Sequence, residues 1–296
     1  MRSTFASRAL VALLVAAGTL GAQPAARSIG TIVVAHGGDS SWNALVIDAA
    51  RAARTGGPVE VSFLMGPAAK TTRFQDVASR LQDGGVGSIA VVPLLVSSHS
   101  GHYDQIRYLA GDSVRLNERM MHHLHMAGIE RPTLRIPLRV APALDDAPQV
   151  ARVLLERART LAPNPSERAV FIVGHGPNSA EDYAAWMTNL RAVADSVKRW
   201  GGFRDVRVDL VRDDAPAPVR AEAVLRVREL IELQHLVTRQ PVVVVPVLIS
   251  KGAISRDKLP NDLRGLPITY AGEPLLPHAE ISRWIELRAR ETAIVP

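Results

Sequence analysis

Short, largely apolar runs alternate with amphipathic stretches along the whole chain. Gly30 to Ala35 lacks the every-other-residue alternation of a half-exposed strand, which is the pattern of a parallel strand covered on both faces. A helical stretch follows over Trp42 to Arg54, then a strand at Val59 to Leu64, then a helix over Arg73 to Gln82 stopped by Gly84-Gly85. Ser88 to Leu95 is a third strand. Residues 103–126 read as polar and helical, Leu134 to Pro137 as a weaker strand, and Ala147 to Leu161 as an amphipathic helix. The second half runs in the same order. It has strands at Ala169 to Val173, Val206 to Leu210, Val242 to Leu248 and Ile268 to Tyr270, with helices at Ala180 to Arg199, Pro218 to Thr238 and Pro277 to Arg290. Strands alternating with helices predict right-handed crossovers and a parallel sheet in each half.

The halves also share sequence. Thr31-Ile32-Val33-Val34-Ala35-His36-Gly37-Gly38 returns as Ala169-Val170-Phe171-Ile172-Val173-Gly174-His175-Gly176, and Val91-Val92-Pro93-Leu94-Leu95-Val96-Ser97 returns as Val244-Val245-Pro246-Val247-Leu248-Ile249-Ser250. Two matched pairs in the same order indicate a duplication, and a period this long means paired lobes rather than a short-repeat solenoid. The expected fold class is α/β with two similar lobes, each a four-stranded parallel sheet flanked by helices. The expected division is a leader at 1–22, an N-terminal lobe at 29–161 and a C-terminal lobe at 166–296, with Ala162-Pro163-Asn164-Pro165 as linker. In open parallel sheets, ligands sit beyond the carboxyl ends of the strands, where both His-Gly elements fall.

Composition narrows the partners. Hydrophobic residues make up 47% of the 296, enough for a sizeable core. Aromatics are only 4%, and they do not interleave with basic residues as they do where bases are stacked. The net charge of +6 is spread over scattered Lys and Arg, so no nucleic-acid partner is expected, while a small molecule rich in carboxylates suits the surface. With no cysteine, any metal must be held by imidazole, carboxylate or carbonyl groups. Arg2 and Arg8, the apolar run Ala9 to Ala17 and the small residues at Leu20-Gly21-Ala22 form an export signal, with cleavage expected after Ala22. The expected location is therefore periplasmic or secreted, with no stable membrane span after cleavage. A P-loop, a strand-linked Gly-x-Gly-x-x-Gly and a Gly-x-Ser-x-Gly are all absent from the sequence, so no nucleotide is expected.

Histidines carry the candidate chemistry. His36 follows a strand, and Gly37-Gly38 lets the backbone turn sharply there. Its imidazole could bind a divalent metal, accept a proton, or serve as a turn residue satisfied by backbone groups. His99 and His102 follow Ser97-Ser98 after the third strand. If that strand neighbours the first, His36 with His102 or His99 makes a two-imidazole site, and two such ligands plus a carboxylate suit Co, Ni, Fe or Zn. His122, His123 and His125 are expected on an exposed helical face, with a metal relay as the sharper alternative, and His235 is expected to be structural. The second half has no histidine after its matched strand. Lys251 and Arg256 there could hold substrate carboxylates, and His175 would stand without a second imidazole, as part of a binding wall.

These residues resemble the sirohydrochlorin and cobalt-precorrin chelatases, relatives of ferrochelatase among the class II chelatases. The resemblance lies in Val33-Val34-Ala35-His36-Gly37, in Val91-Val92-Pro93-Leu94-Leu95 with Gly101-His102, and in Gly252 to Pro260, where Ile254 stands in place of the family's histidine. Ala141-Pro142-Ala143-Leu144 and Gly272 to His278 are similar to a further family stretch. The resemblance implies a tetrapyrrole bound between two α/β lobes, and a divalent metal substrate such as Co2+, Fe2+ or Ni2+. It makes His36 and His102 the metal-binding and proton-accepting pair, with His99 as alternate ligand. Ser97, Ser98, His175 and Lys251 are then expected around the bound molecule. A non-catalytic periplasmic binder of metal or tetrapyrrole is the alternative expectation.

Overall fold

The computed structural model describes residues 28–293, so the expected leader lies outside the described residues. In the first half β1 (Ile29–Ala35), α1 (Ser40–Ala52), β2 (Val59–Phe63), α2 (Gly66–Ala69), α3 (Phe74–Asp83) and β3 (Ser88–Leu94) are followed by α4 (Gly101–Leu109), α5 (Glu118–Ala127), β4 (Leu138–Val140) and α6 (Pro148–Leu161). In the second half come β5 (Ala169–Gly174), α7 (Ala180–Gly201), β6 (Asp205–Leu210), α8 (Ala217–Thr238), β7 (Val242–Pro246), α9 (Leu259–Asp262), β8 (Ile268–Tyr270) and α10 (Ala279–Thr292). A π-helical turn, Ile254–Lys258, leads into α9. Among the described residues no helix is long and apolar enough to cross a membrane.

The two sheets have one topology, β2-β1-β3-β4 and β6-β5-β7-β8, and every pairing is parallel. Strand order reverses between β1 and β3 and again between β5 and β7. Chains leaving neighbouring strands toward opposite sides open a crevice at their carboxyl ends. Two of the central strands, β3 and β7, also carry a proline near that end, Pro93 and Pro246, which interior strands rarely allow because proline donates no ladder hydrogen bond. The edge strands resolve this. β4 pairs only with Ile89 to Val91, short of Pro93, and β8 pairs only with Val242 to Val244, short of Pro246.

Two expectations shift. The strand expected at Leu134 to Pro137 begins at Leu138, because Ile89 donates to the Pro137 carbonyl and pairing with β3 starts there. The helical reading of 103–126 divides into α4 and α5, separated by Gly111, whose φ of 100° suits glycine far better than other residues. α5 has its own start, with the Asn117 side chain accepting from the Met120 N–H, and its own stop at left-handed Gly128.

The closing helix of each half packs against the other half: α6 lies on α7 and β7, while α10 lies on β3 and α1. One apolar cluster consequently takes in Val33 and Val92 of the first sheet, Ile172 and Val245 of the second, and Trp284 of α10. Trp284 is fully buried, and its indole N–H finds no partner. Trp284→Ala should lower stability by about 3–5 kcal/mol. Trp284→Phe should cost less, about 1–3 kcal/mol, since the smaller ring leaves a cavity that removal of the unpaired N–H only partly offsets. Urea unfolding followed by fluorescence and circular dichroism should show one transition. Two separated transitions would mean that the exchanged helices do not couple the lobes.

Candidate functional site

Register places the first histidine. Ala35 pairs with Leu94 at the end of the β1–β3 ladder, so His36 is the first residue beyond the sheet, where it is exposed. Gly37 follows with φ of 95°, and a Cβ there would meet the Met65 carbonyl oxygen at 2.4 Å, so the turn needs glycine. The second His-Gly turn repeats this at Gly176, φ 77°. After β3 the chain runs through Ser97 to Ser100, whose hydroxyl accepts from the Tyr103 N–H and caps α4. His102 thereby stands in the first turn of α4. The His36 and His102 rings meet edge to face, with centroids 4.7 Å apart.

Hydrogen bonds set which ring nitrogens are available. His36 Nδ1 lies 2.7 Å from the Gly37 carbonyl oxygen, which can only accept, so Nδ1 carries the proton and Nε2 is bare. His102 Nδ1 lies 2.7 Å from Gln105 Oε1. Gln105 is fully buried and donates from Nε2 to the Met120 carbonyl at 2.6 Å, which fixes Oε1 toward His102. His102 therefore donates from Nδ1 and also keeps Nε2 bare. Burial, with the neighbouring His36 adding to it, pushes the His102 pKa down to about 4 against the opposing pull of Gln105, so His102 is neutral at pH 7. Partners on the far nitrogen orient imidazoles and hold them in the ligating tautomer.

A cavity of about 520 Å³ opens between the lobes, with His36, Trp42, His102, His175, Trp186 and Ile254 on its walls. Arg256 and Lys258, on the π-helical turn, also line it and are held by carboxylates: Arg256 by Asp39 at 3.2 Å and Lys258 by Asp213. Hydrogen bonds from the Ser41 hydroxyl, the Trp42 N–H and Arg256 draw the Asp39 pKa down to about 2. From the second half His175 lies edge to face with Trp186 at 5.5 Å, its Nδ1 buried without a partner, and burial lowers its pKa. The Trp186 indole donates to the His99 carbonyl at 2.7 Å, joining α7 of the second half to the loop that carries His102.

Several expected residues are placed otherwise. The His99 side chain is exposed and absent from the cavity wall, because Trp186 anchors its backbone. Ser97 is buried, lines the cavity and accepts from the His99 N–H at 3.1 Å. Ser98 faces Asp145, donating from N–H at 2.7 Å and from its hydroxyl at 2.6 Å, so it braces the loop instead of meeting the cavity. Lys251 pairs with Glu273 at 2.9 Å and is not on the wall. His122 and His125 are exposed as expected, but His123 turns inward and stacks on His102 at 6.3 Å. The carboxylate expected beside the pair is missing: among the described residues no three His, Asp or Glu side chains are arranged to hold a metal ion. Gln105 and Trp186 were not anticipated. The spacing of His102 and Gln105, three apart on a helix, was the available signal for the former.

Residues 30–161 match the family model CbiX. No curated protein matches the chain in sequence. Among solved structures, SirB from Bacillus subtilis with Fe3+ superposes with a TM-score of 0.61 at 17% identity, over 90% of this chain and 96% of that one. CbiX, described as the terminal enzyme for siroheme biosynthesis in denitrifying bacteria, superposes with a TM-score of 0.52 at 14% identity, over 90% and 100%. DR2241 from Deinococcus radiodurans, a multi-domain protein with structural similarity to chelatases, gives 0.56 at 15% over 90% of this chain, which spans 56% of that protein. These likenesses establish a duplicated, chelatase-like fold.

Neutral burial of His102 makes stability depend on pH. The unfolded imidazole takes a proton near pH 6.5, the folded one only near 4. The unfolded state therefore binds more protons between these values, so this contribution is full above pH 6.5 and is lost as pH falls toward 4. Urea unfolding of wild type and His102→Gln at pH 7 and pH 5 should show wild type losing about 2 kcal/mol more than the variant over that interval. Equal losses would contradict a neutral, enclosed His102.

Proposed function

We propose, from the match of residues 30–161 to the CbiX family model and from the chelatase-like fold, that the protein inserts a divalent metal, Co2+ or Fe2+, into a carboxylate-bearing tetrapyrrole such as sirohydrochlorin. The observation that carries the reading is the His36–His102 pair, two imidazoles 4.7 Å apart with bare Nε2 atoms at the wall of a cavity between lobes. Insertion exchanges two pyrrole N–H protons for one M2+ ion, so the site must offer metal ligands and a proton acceptor. His102, with its pKa near 4, serves as ligand and does not hold a proton at neutral pH. His36 is more open to solvent: its one bare nitrogen holds the ion first, and once the ion passes to the macrocycle the freed Nε2 accepts one pyrrole proton while the other leaves to solvent water. Two protein ligands leave the ion exchangeable, which suits a metal that must leave with the product.

Arg256 and Lys258 at the cavity wall are the side chains that would take the macrocycle's carboxylates, exchanging Asp39 and Asp213 for them. His175 and Trp186 line the cavity from the second half. The match to the CbiX family model and the siroheme role of the CbiX structure both favour a sirohydrochlorin-like substrate. The basic and apolar leader favours action outside the cytoplasm.

An absorbance time course with sirohydrochlorin and Co2+ tests the proposal. Wild type should accelerate metallation, and His36→Ala should lower the rate by about 10²-fold or more, the range of a lost acid–base group. Wild-type rates in His36→Ala would sink the assignment. A tetrapyrrole spectral shift without any acceleration would make the protein a binder instead. Gln105→Leu should raise the KM for Co2+ by about 10–100-fold, as loss of a partner behind a metal ligand does, and leave the KM for sirohydrochlorin unchanged. An unchanged metal KM would contradict the orienting role of Gln105.

A further inference from the structure

Among the described residues three that are not glycine hold a positive φ: Asp145 at 44°, Arg212 and Arg239. Arg239 closes α8, and Arg212 donates to the carbonyls of Pro177 and Asn178. Asp145 lies in the loop between β4 and α6, and its carboxylate binds two other elements. It accepts from the Ser98 N–H at 2.7 Å and hydroxyl at 2.6 Å, and from the Asn189 amide of α7 at 3.2 Å. Left-handed backbone is costly for a residue with a Cβ, although aspartate tolerates it better than most, and it persists where surrounding contacts enforce it. The duplication shows what this side chain adds. The Leu144 and Asp145 N–H groups donate to the Leu95 and Val96 carbonyls, and in the second half Leu275 and Leu276 donate to Leu248 and Ile249 in the same way. Leu276, in the place of Asp145, is a buried apolar residue without left-handed backbone. The half that has the imidazole pair also has the carboxylate, and the other has neither.

We propose that Asp145 is a positioning residue for the metal pair, fixing the β3–α4 loop and registering it on α7 so that His102 is presented to His36. The inference rests on the reading of His36 and His102 as metal ligands. His36 stands on the turn after β1, so the 4.7 Å between the rings depends on where the loop starts α4. Asp145 holds Ser98 at two atoms, and the Ser98 hydroxyl accepts from the Ala143 N–H at 2.8 Å. Trp186 holds the next residue at its carbonyl, and Ser100 then caps the helix whose first turn carries His102. Trp186 and Asn189 are three apart on α7 and so share a face. One grips the loop directly, the other through Asp145. A carboxylate makes shorter and stronger bonds to N–H and O–H donors than a neutral acceptor does, and a ligand constellation tolerates only about 0.5 Å of drift. Gln105 sets the direction of the His102 ring, and Asp145 sets the position of the loop that leads to it.

Co2+ titration of the protein without tetrapyrrole, followed by the visible absorption of the bound ion, tests this. His102→Gln should abolish the band. Asp145→Gly suits a φ of 44° and removes the carboxylate. It should keep the wild-type circular dichroism and weaken Co2+ binding about tenfold, as loss of a support behind a metal ligand does. Asp145→Asn tolerates the same backbone and keeps an acceptor for the Ser98 N–H, so its affinity should fall between those of Asp145→Gly and wild type. A role confined to the turn of the backbone would leave Asp145→Gly at wild-type affinity, and that result overturns the inference. Asn189→Ala should weaken Co2+ in the same direction, and an unchanged affinity there overturns the tie to α7. A band that survives His102→Gln overturns the reading of the pair and the inference with it. A band lost in His102→Gln but unaltered in Asp145→Gly overturns the inference alone.

Discussion

The parallel pairing of β1 with β3 is the constraint on which the site depends. It aligns Ala35 with Leu94, so the two loops that carry histidine leave the sheet side by side. Because strand order reverses at this pairing, the following helices diverge and leave a crevice. A slip of two residues along the ladder, which would keep every side chain on its face, would still move His36 about 7 Å along the strand, beyond reach of His102. The uninterrupted burial of both strands specifies the register, and the prolines at 93 and 246 mark where edge pairing has already ended.

The duplicated halves have diverged where the chemistry lies. Both keep the His-Gly turn and the glycine with positive φ. Only the first adds a second imidazole, and only there does a buried amide, Gln105, hold it. The second half supplies Ile254 and the cations Arg256 and Lys258 instead. One wall thus presents bare nitrogens, the other charge and apolar surface, as two-sided recognition of a metal and a large acidic ring requires. The exchange of α6 and α10 between halves and the Trp186–His99 contact tie the walls together, so the distance across the cavity is set by packing as well as by the linker.

Much of this was legible in the sequence. The strand signals, the repeat and the His-Gly turns gave the two parallel sheets; the neighbouring positions of two loops offered His36 with either His102 or His99, and the family resemblance pointed to His102. What escaped was decided by contacts between elements distant in sequence. His123 looked solvated because its helix is polar on most faces, and only the packing of α5 on α4 turns it toward His102. Lys251 looked available for a substrate carboxylate until Glu273 met it from another loop. His99 and His102 were equivalent on paper. The Ser100 cap and Trp186 separate them, sending one ring into the cavity wall and the other to solvent. The edge strand β4, three residues long, has too few positions to show a period.

The central claim is that His36 and His102 present bare Nε2 atoms to a metal because their Nδ1 atoms are occupied. Long-range proton–nitrogen NMR of histidine-labelled protein, before and after addition of Zn2+, tests it most directly. The account predicts the Nδ1–H tautomer at both residues in the metal-free protein, with the Zn2+-induced shifts falling on their Nε2 atoms. A protonated Nε2 at either residue, or Zn2+ shifts that bypass both rings, would contradict it.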